Sequence, residues 1–269
     1  MKKALVLAGS DTSGGAGIQA DIKTSQEIGI YPMTALTTIV AQNPSTNWAH
    51  DVYPIDYDTV KAQLHTILDG VGVDIMKTGM LPTAEIIELA AEVIEKHDLP
   101  AVVDPVLVCK GQDEALHPEN SEALRNVLVP KALVTTPNLF EAGQLAQMSN
   151  ITTVDEMKEA AERIYDLGAK NVIVKGGSDV EGDKAVDVFY AGNEFILIET
   201  STIDTTYTHG AGCTFASAIT AYIAKGQEPL EAIKSAKTFI TNAIEGASEL
   251  NQYVGSVNQF ANRHNHVKL

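Results

Sequence analysis

A run of small residues, Gly210-Ala211-Gly212-Cys213, follows His209 and stands just before apolar residues at Phe215, Ile219, Tyr222 and Ile223, which repeat at helical spacing. Glycines let backbone N–H groups approach a ligand closely, and a helix starting here leaves its first N–H groups unpaired at the positive end of its dipole. That combination suits an anion, phosphate above all; a Gly-x-Gly that only permits tight packing is the plainer alternative. Lys225 in the last turn and Gly226 after it end the helix in the usual manner. Cys213 falls in the first turn, where the same field favours thiolate over thiol, so it is a candidate to take a proton or hold a ligand.

A second group is rich in oxygen. Asp104 closes the apolar run 101–104, while Asn138 and Glu141 stand at i, i+3 spacing where a strand turns into a helix. Together they make a set suited to Mg²⁺, which takes few carboxylates and keeps waters and phosphates as its other ligands. The same pair also reads as a capping box, and the two roles are compatible. Lys175-Gly176-Gly177, at the end of a strand over 171–174, can receive a nucleotide phosphate.

Near the N-terminus, the loop from Gly9 onward offers small residues with Asp11 and Asp21, able to hydrogen-bond the hydroxyls or ring nitrogen of a small polar ligand. Asp11 as a cap for the following helix is the alternative. The loop lacks G-K-[ST] and the G-x-G-x-x-G spacing, which speaks against a Walker NTPase and a Rossmann enzyme. Gln42 ends the strand 34–41, and Trp48 and His50 follow in a polar turn. Ends of strands are where α/β proteins bind ligands, so these are candidate substrate contacts, with an ordinary surface histidine the alternative for His50.

These residues need a scaffold that gathers strand ends. Short buried strands at 3–8, 34–41, 74–77, 101–104, 132–135 and 171–174 alternate with helices ending near 28 and covering 58–68, 83–95, 118–127 and 154–167. A hairpin over 185–201 turns around Gly192-Asn193, and a helix covers 229–246. Such alternation predicts a parallel sheet covered by helices on both faces.

With 269 residues and 45% hydrophobic content, the chain can bury a large core as one α/β domain or two tightly joined lobes. Its net charge of -16 works against binding to nucleic acid or an anionic membrane surface. The apolar run 4–8 is too short for a signal peptide, and no stretch reaches the ~18 apolar residues of a membrane span. Cys109 and Cys213 lack C-x-x-C spacing, so neither zinc nor a disulfide framework is indicated, and the cytoplasm is the expected compartment.

Taken together, Gly9-Ser10-Asp11 with Gly14-Gly15-Ala16-Gly17, Lys77-Thr78-Gly79-Met80, Asp104-Pro105, Thr136-Pro137-Asn138 with Glu141, Lys175-Gly176-Gly177 and His209-Gly210-Ala211-Gly212-Cys213 resemble the ribokinase-like vitamin kinases. The resembling branch holds hydroxymethylpyrimidine (phosphate) kinases and the pyridoxal kinases similar to them. It implies a three-layer αβα fold forming a single domain over 1–269, ATP as phosphoryl donor, Mg²⁺, and a homodimer. By the same resemblance, the backbone of Gly210, Ala211 and Gly212 is the anion hole and Cys213 the catalytic proton acceptor, where sugar kinases of this fold place an aspartate. Asp104, Asn138 and Glu141 would serve the metal and phosphates, and Lys175 and Gly176 the nucleotide beside Asn138, Gly210 and Gly212. Vitamin contacts would come from Gly9, Asp11, Asp21, Gln42, His50, Met80, Val106, Cys109 and His209.

Val108-Cys109-Lys110-Gly111 resembles the lid of the dual-cysteine pyridoxal kinases, whose lid thiol adds reversibly to the pyridoxal aldehyde. Gln42 instead looks like the pyrimidine-recognising glutamine of the other branch. Since Gln42 can bond either ring and only pyridoxal offers an aldehyde, Cys109 weighs more. The expectation is an ATP-dependent kinase acting on the hydroxymethyl group of pyridoxal, pyridoxine or pyridoxamine. The alternative is a hydroxymethylpyrimidine/phosphomethylpyrimidine kinase of thiamine biosynthesis, with dual activity as an intermediate case. A vitamin-binding protein that has lost transfer is disfavoured because the anion and metal residues remain, and a dehydrogenase because the dinucleotide fingerprint is missing.

Overall fold

The computed structural model describes residues 1–107, 118–180 and 184–264. Strand β1 (Lys3–Asp11) leads through helix α1 (Gly17–Ile28) to β2 (Tyr31–Asn43) and β3 (Ala49–Pro54). Then come α2 (Tyr57–His65), β4 (Ile75–Thr78), α3 (Ala84–His97), β5 (Ala101–Val103), α4 (Pro118–Ala123), β6 (Val134–Thr135), α5 (Leu139–Ala146), α6 (Val154–Asp166) and β7 (Val172–Gly177). The hairpin β8 (Lys184–Tyr190) and β9 (Phe195–Ser201) precedes α7 (Ala211–Ala224), α8 (Pro229–Glu245) and a small hairpin, β10 (Ser248–Asn251) with β11 (Val254–Ser256).

Nine of these strands form one sheet in the order β3-β2-β1-β4-β5-β6-β7-β8-β9. From β2 to β7 the neighbours are parallel, whereas β3, β8 and β9 are antiparallel additions at the two edges. Alternate residues of each central strand point to opposite faces, as the pleat requires. Leu5, Leu7, Met76, Val103 and Val174 pack with α2, α3, α5 and α6, while Ala4, Ile75, Val102 and Ile173 pack with α1, α7 and α8. The result is the expected three-layer α/β arrangement, central mostly parallel sheet with helices on both faces.

Chain order reverses between β1 and β4, so the connections from their carboxyl ends run to opposite sides and leave a crevice, the place where open parallel sheets bind ligands. Helix α7 starts opposite that crevice, and Lys225 and Gly226 close it as the sequence indicates, Gly226 with a left-handed φ of 96°.

The polar turn expected at 48–50 is corrected in part: Ala49 already opens β3, and His50 pairs with Gln42 across the ladder. This edge strand leaves Ala49, Asp51 and Tyr53 exposed, so it carries no apolar pattern by which to find it. Ladder hydrogen bonds likewise extend β1 and β7 through Gly9-Ser10 and Gly176-Gly177, where side chains supply no strand signal.

Ile219 is fully buried where α7 meets the sheet. Ile219→Ala should destabilise the protein by about 2–5 kcal/mol in urea unfolding. A loss below about 1 kcal/mol would mean that α7 is loosely held.

Candidate active site

The crevice opens into a cavity of about 600 Å³ formed by the ends of β1, β4, β5 and β7, the first turn of α5 and the start of α7. Gly210 is the residue before α7, with φ 84°, and a Cβ there would run into the carbonyl oxygen of Gly15. Only glycine fits both constraints. No side chain caps the helix, so its N-terminal turn, Ala211, Gly212 and Cys213, is presented to the cavity. A Cβ on Gly212 would sit 3.6 Å from Lys175 Nζ, which places that ammonium over the turn.

Cys213 does not behave as its helix position predicts. Burial pushes the thiol up to about 11; the Lys77 ammonium pulls it down, Asp21 and Asp104 push it further up, and the Gly17 N–H donates to the sulfur. The expected thiolate is therefore corrected to a neutral thiol at neutral pH, because lost hydration and two carboxylates outweigh the helix field.

Lys77 on β4 is fully buried and lines the cavity. Its Nζ donates to both oxygens of Asp21 at 2.9 and 3.0 Å, and Ser217 Oγ on α7 donates to Asp21 Oδ1 at 2.6 Å. Against its own burial, the nearby Asp21, Cys213 and Asp104 hold the Lys77 ammonium well above the usual range. Asp21, expected as a vitamin contact, is not on the cavity wall: it is wholly buried as the partner of Lys77. Lys77 was missed as a site residue, although a lysine among the apolar residues of a buried strand is the available signal, since such a charge must be paired.

Asp11 organises the opposite end. Its carboxylate accepts from the Ala16 N–H (2.7 Å), the Ser13 N–H (2.9 Å) and Oγ (2.8 Å), Gln42 Nε2 (2.6 Å) and His209 Nε2 (2.6 Å). Burial opposes ionisation, but these donors, His209 first, hold its carboxyl far below the ordinary range. Asp11 thus ties the loop before α1 to Gln42 and His209, rather than capping the helix, whose N-cap Ala16 has no side-chain bond. The His50 ring is inclined by 26° to that of His209, centroids 6.3 Å apart, and both line the cavity with Gly9, Met80 and Val106. His50 is thus a cavity residue and not merely a surface histidine.

At the β5–β7 end, Asp104 Oδ1 accepts from Thr136 Oγ1 (2.8 Å) and Lys175 Nζ (3.1 Å). Against burial, Lys175 and Lys77 lower the Asp104 carboxyl, whereas burial pushes that of Glu141 up to about 7 despite Lys175. Asn138 and Glu141 form the capping box: Glu141 N–H donates to Asn138 Oδ1 and Asn138 N–H to Glu141 Oε2, each at 2.8 Å. Asp104, Asn138, Glu141 and Lys175 all line the cavity, so the oxygen set and the lysine do converge. Cys109 lies outside the described residues.

A polar end built on Asp11, Gln42 and His209 and a cationic end with Lys175 and the start of α7 thus share one cavity. The sequence profile of the phosphomethylpyrimidine kinase family matches residues 11–258. The chain belongs to this family. It is a phosphotransferase, 58% identical to the pyridoxine kinase of Bacillus subtilis over 98% of both chains. The hydroxymethylpyrimidine/phosphomethylpyrimidine kinase of the same organism is 40% identical, over 98% of this chain and 96% of that one. Among solved structures, the pyridoxal kinase from Staphylococcus aureus in complex with AMP-PCP and pyridoxal superposes with a TM-score of 0.93 at 47% identity, covering 100% of this kinase and 96% of that chain.

Because the folded-state pKa of Asp11 lies below its unfolded value, its contribution is present above the unfolded pKa and is lost as pH falls through the folded one. Asp11→Asn should cost about 2–4 kcal/mol in urea unfolding at neutral pH, a gap that holds down to about pH 4 and closes below it. A gap that shrank already between pH 8 and 5 would show that some other group carries the effect.

Proposed function

We infer that the chain transfers the γ-phosphoryl group of ATP to the hydroxymethyl oxygen of a B6 vitamer: pyridoxal, pyridoxine or pyridoxamine. The observation that carries this reading is the single cavity joining the Asp11–Gln42–His209 cluster to Lys175 and the α7 terminus, in a chain 58% identical to a pyridoxine kinase. Gly9, Met80 and Val106 frame the ring against Gln42, His50 and His209. At the other end, Lys175 and Asn138 take the nucleotide phosphates, whereas Gly176 is off the cavity wall and gives its N–H to Asp187 Oδ1 at 3.1 Å. The N–H groups of Gly210, Gly212 and Cys213 face the charge that the transferred group develops, that of Ala211 being given to the Thr208 carbonyl, and such preorganised donors supply most of what phosphoryl transfer asks of a protein.

The hydroxymethyl oxygen forms the new bond to phosphorus, the bond to the β-phosphate oxygen breaks, and the hydroxyl proton passes to Cys213 in its thiolate form. Lys77 is the cation beside that sulfur. Mg²⁺ fits as a companion of the nucleotide: Asn138 and Glu141 already spend oxygens on the capping box, so Asp104 and Glu141 would hold it together with phosphate oxygens and water. Bound there, it would neutralise charge on the nucleotide phosphates. No described helix is long and apolar enough to cross a membrane. The family resemblance is what suggests a cytoplasmic homodimer of one kinase domain per chain.

Gln42 supports a second reading. Its Nε2 is committed to Asp11, leaving Oε1 as an acceptor that suits the amino group of hydroxymethylpyrimidine. Steady-state assays of ATP with pyridoxal, pyridoxine and hydroxymethylpyrimidine separate the two. The B6 vitamers should have the higher kcat/KM, and chelation of divalent metal should abolish turnover. A preference for the pyrimidine would assign the chain to thiamine synthesis instead, and full activity in chelator would remove the metal.

For Cys213, the scarce thiolate makes kcat rise with pH above neutrality. Cys213→Ala should flatten that rise and lower kcat by about 10²-fold or more, with less effect on KM. Near-normal kcat in the variant would reduce Cys213 to packing and leave the backbone amides and lysines as the whole machinery.

A further inference from the structure

Behind Lys175 the β7–β8 ladder slips by one residue. Lys175 pairs with Asp187, but the next pair is Gly177 with Val186, so Gly176 is an extra residue on β7. Such a bulge re-aims the neighbouring side chain and leaves backbone N–H groups without their ladder acceptor. Here one carboxylate replaces that acceptor: Asp187 Oδ1 receives the N–H groups of Gly176 at 3.1 Å and Gly177 at 3.4 Å. Its other oxygen, Oδ2, receives Lys237 Nζ from α8 at 2.6 Å. Asp187 is 4% exposed and Lys237 9%, and neither lines the cavity.

The glycine at 176 is enforced as well. A Cβ there would run into the Val186 carbonyl oxygen and crowd Met157 and Val180, and Gly177 has a left-handed φ of 56°. The segment is therefore a built turn, in which the chain bends directly after Lys175 and leaves the sheet past Gly177. Lys175 itself is pinned by its N–H to the Pro137 carbonyl at 2.8 Å and by its ammonium to Asp104.

We propose that Asp187 and Lys237 are positioning residues for the nucleotide, in which Lys237 fixes the Asp187 carboxylate and that carboxylate holds the Gly176-Gly177 bulge that aims Lys175 into the cavity. This rests on the reading of Lys175 as a nucleotide contact. The working atom is the acceptor oxygen on Asp187, and the charge pair serves to keep it in place inside the protein. Substitutions that remove both charges but keep the oxygen should then spare nucleotide binding, and those that remove the oxygen should not.

The test compares the double variants Asp187→Asn with Lys237→Met and Asp187→Ala with Lys237→Met, neither of which strands a buried charge. Lys175→Met and Ile219→Ala, at a residue that does not line the cavity, serve as references. For each, KM is measured for ATP and for pyridoxal, and folding is checked by circular dichroism and thermal midpoint. The alanine pair should raise the KM for ATP about 10–100-fold with the KM for pyridoxal within about threefold, while the asparagine pair stays near wild type for both. Ile219→Ala, destabilised but with the bulge intact, should leave the KM for ATP unchanged. An alanine pair with wild-type KM for ATP, or with both KM values raised equally, overturns the proposal while Lys175→Met still weakens ATP. If Lys175→Met leaves the KM for ATP unchanged, the nucleotide reading of Lys175 falls and the positioning role falls with it.

Discussion

The arrangement of the site depends on a charge pair that no water reaches. Asp21 on α1 and Lys77 on β4 are both fully buried, and Ser217 on α7 gives the carboxylate a further hydrogen bond. Losing one member of such a pair leaves an unpaired buried charge, which costs about 3–5 kcal/mol, so each residue compels the other. The three residues belong to the helix behind the glycine loop, the strand at the cavity floor and the helix whose first turn lines the cavity. Their geometry therefore fixes the loop of Gly14 to Gly17 and the first turn of α7 relative to β4. Gly210 shows how little slack remains there, since any side chain would meet the Gly15 carbonyl.

Around this pair the site gathers cations inside a chain whose net charge is -16. Long-range attraction cannot bring an anionic nucleotide to such a surface, so the affinity must be local. Lys77 and Lys175 reach the cavity from strands, with little freedom to move, and α7 adds its N–H groups. Each lysine is matched by a carboxylate, Asp21 or Asp104, which keeps it charged despite burial. Fixed charges and dipoles of this kind need no reorganisation when charge develops on the ligand.

Much of this was legible in the residues. Helix α7 and its glycine turn, the capping box at Asn138 and Glu141, and the strand-end positions of Asp104 and Lys175 all follow from local rules of spacing and chemistry. What failed depends on distant partners. Asp21 reads as a loop carboxylate free to meet a ligand, because nothing near it in sequence reveals that Lys77 stands 56 residues away in the chain. The Cys213 thiolate was inferred from the helix terminus alone, whereas the outcome is set by burial and by carboxylates from α1 and the end of β5. Strand β3 escaped for a different reason: an edge strand with exposed alternate residues has no hydrophobic period.

These same charges give a physical reason for a cysteine where the sugar kinases of this fold carry an aspartate. A third carboxylate at 213 would stand beside Asp21 and Asp104, whose ammonium partners Lys77 and Lys175 are already engaged. Like charges at close range in a poorly hydrated site raise each other's proton affinity, so that aspartate would either take up a proton or weaken the pairs around it. A thiol avoids the conflict by staying neutral at rest. It carries charge only in its minority thiolate form, which the nearby Lys77 ammonium favours and which becomes neutral again on taking up the substrate proton. The cost is a scarce thiolate, which a loose phosphoryl-transfer transition state tolerates because it asks more of positioning than of base strength.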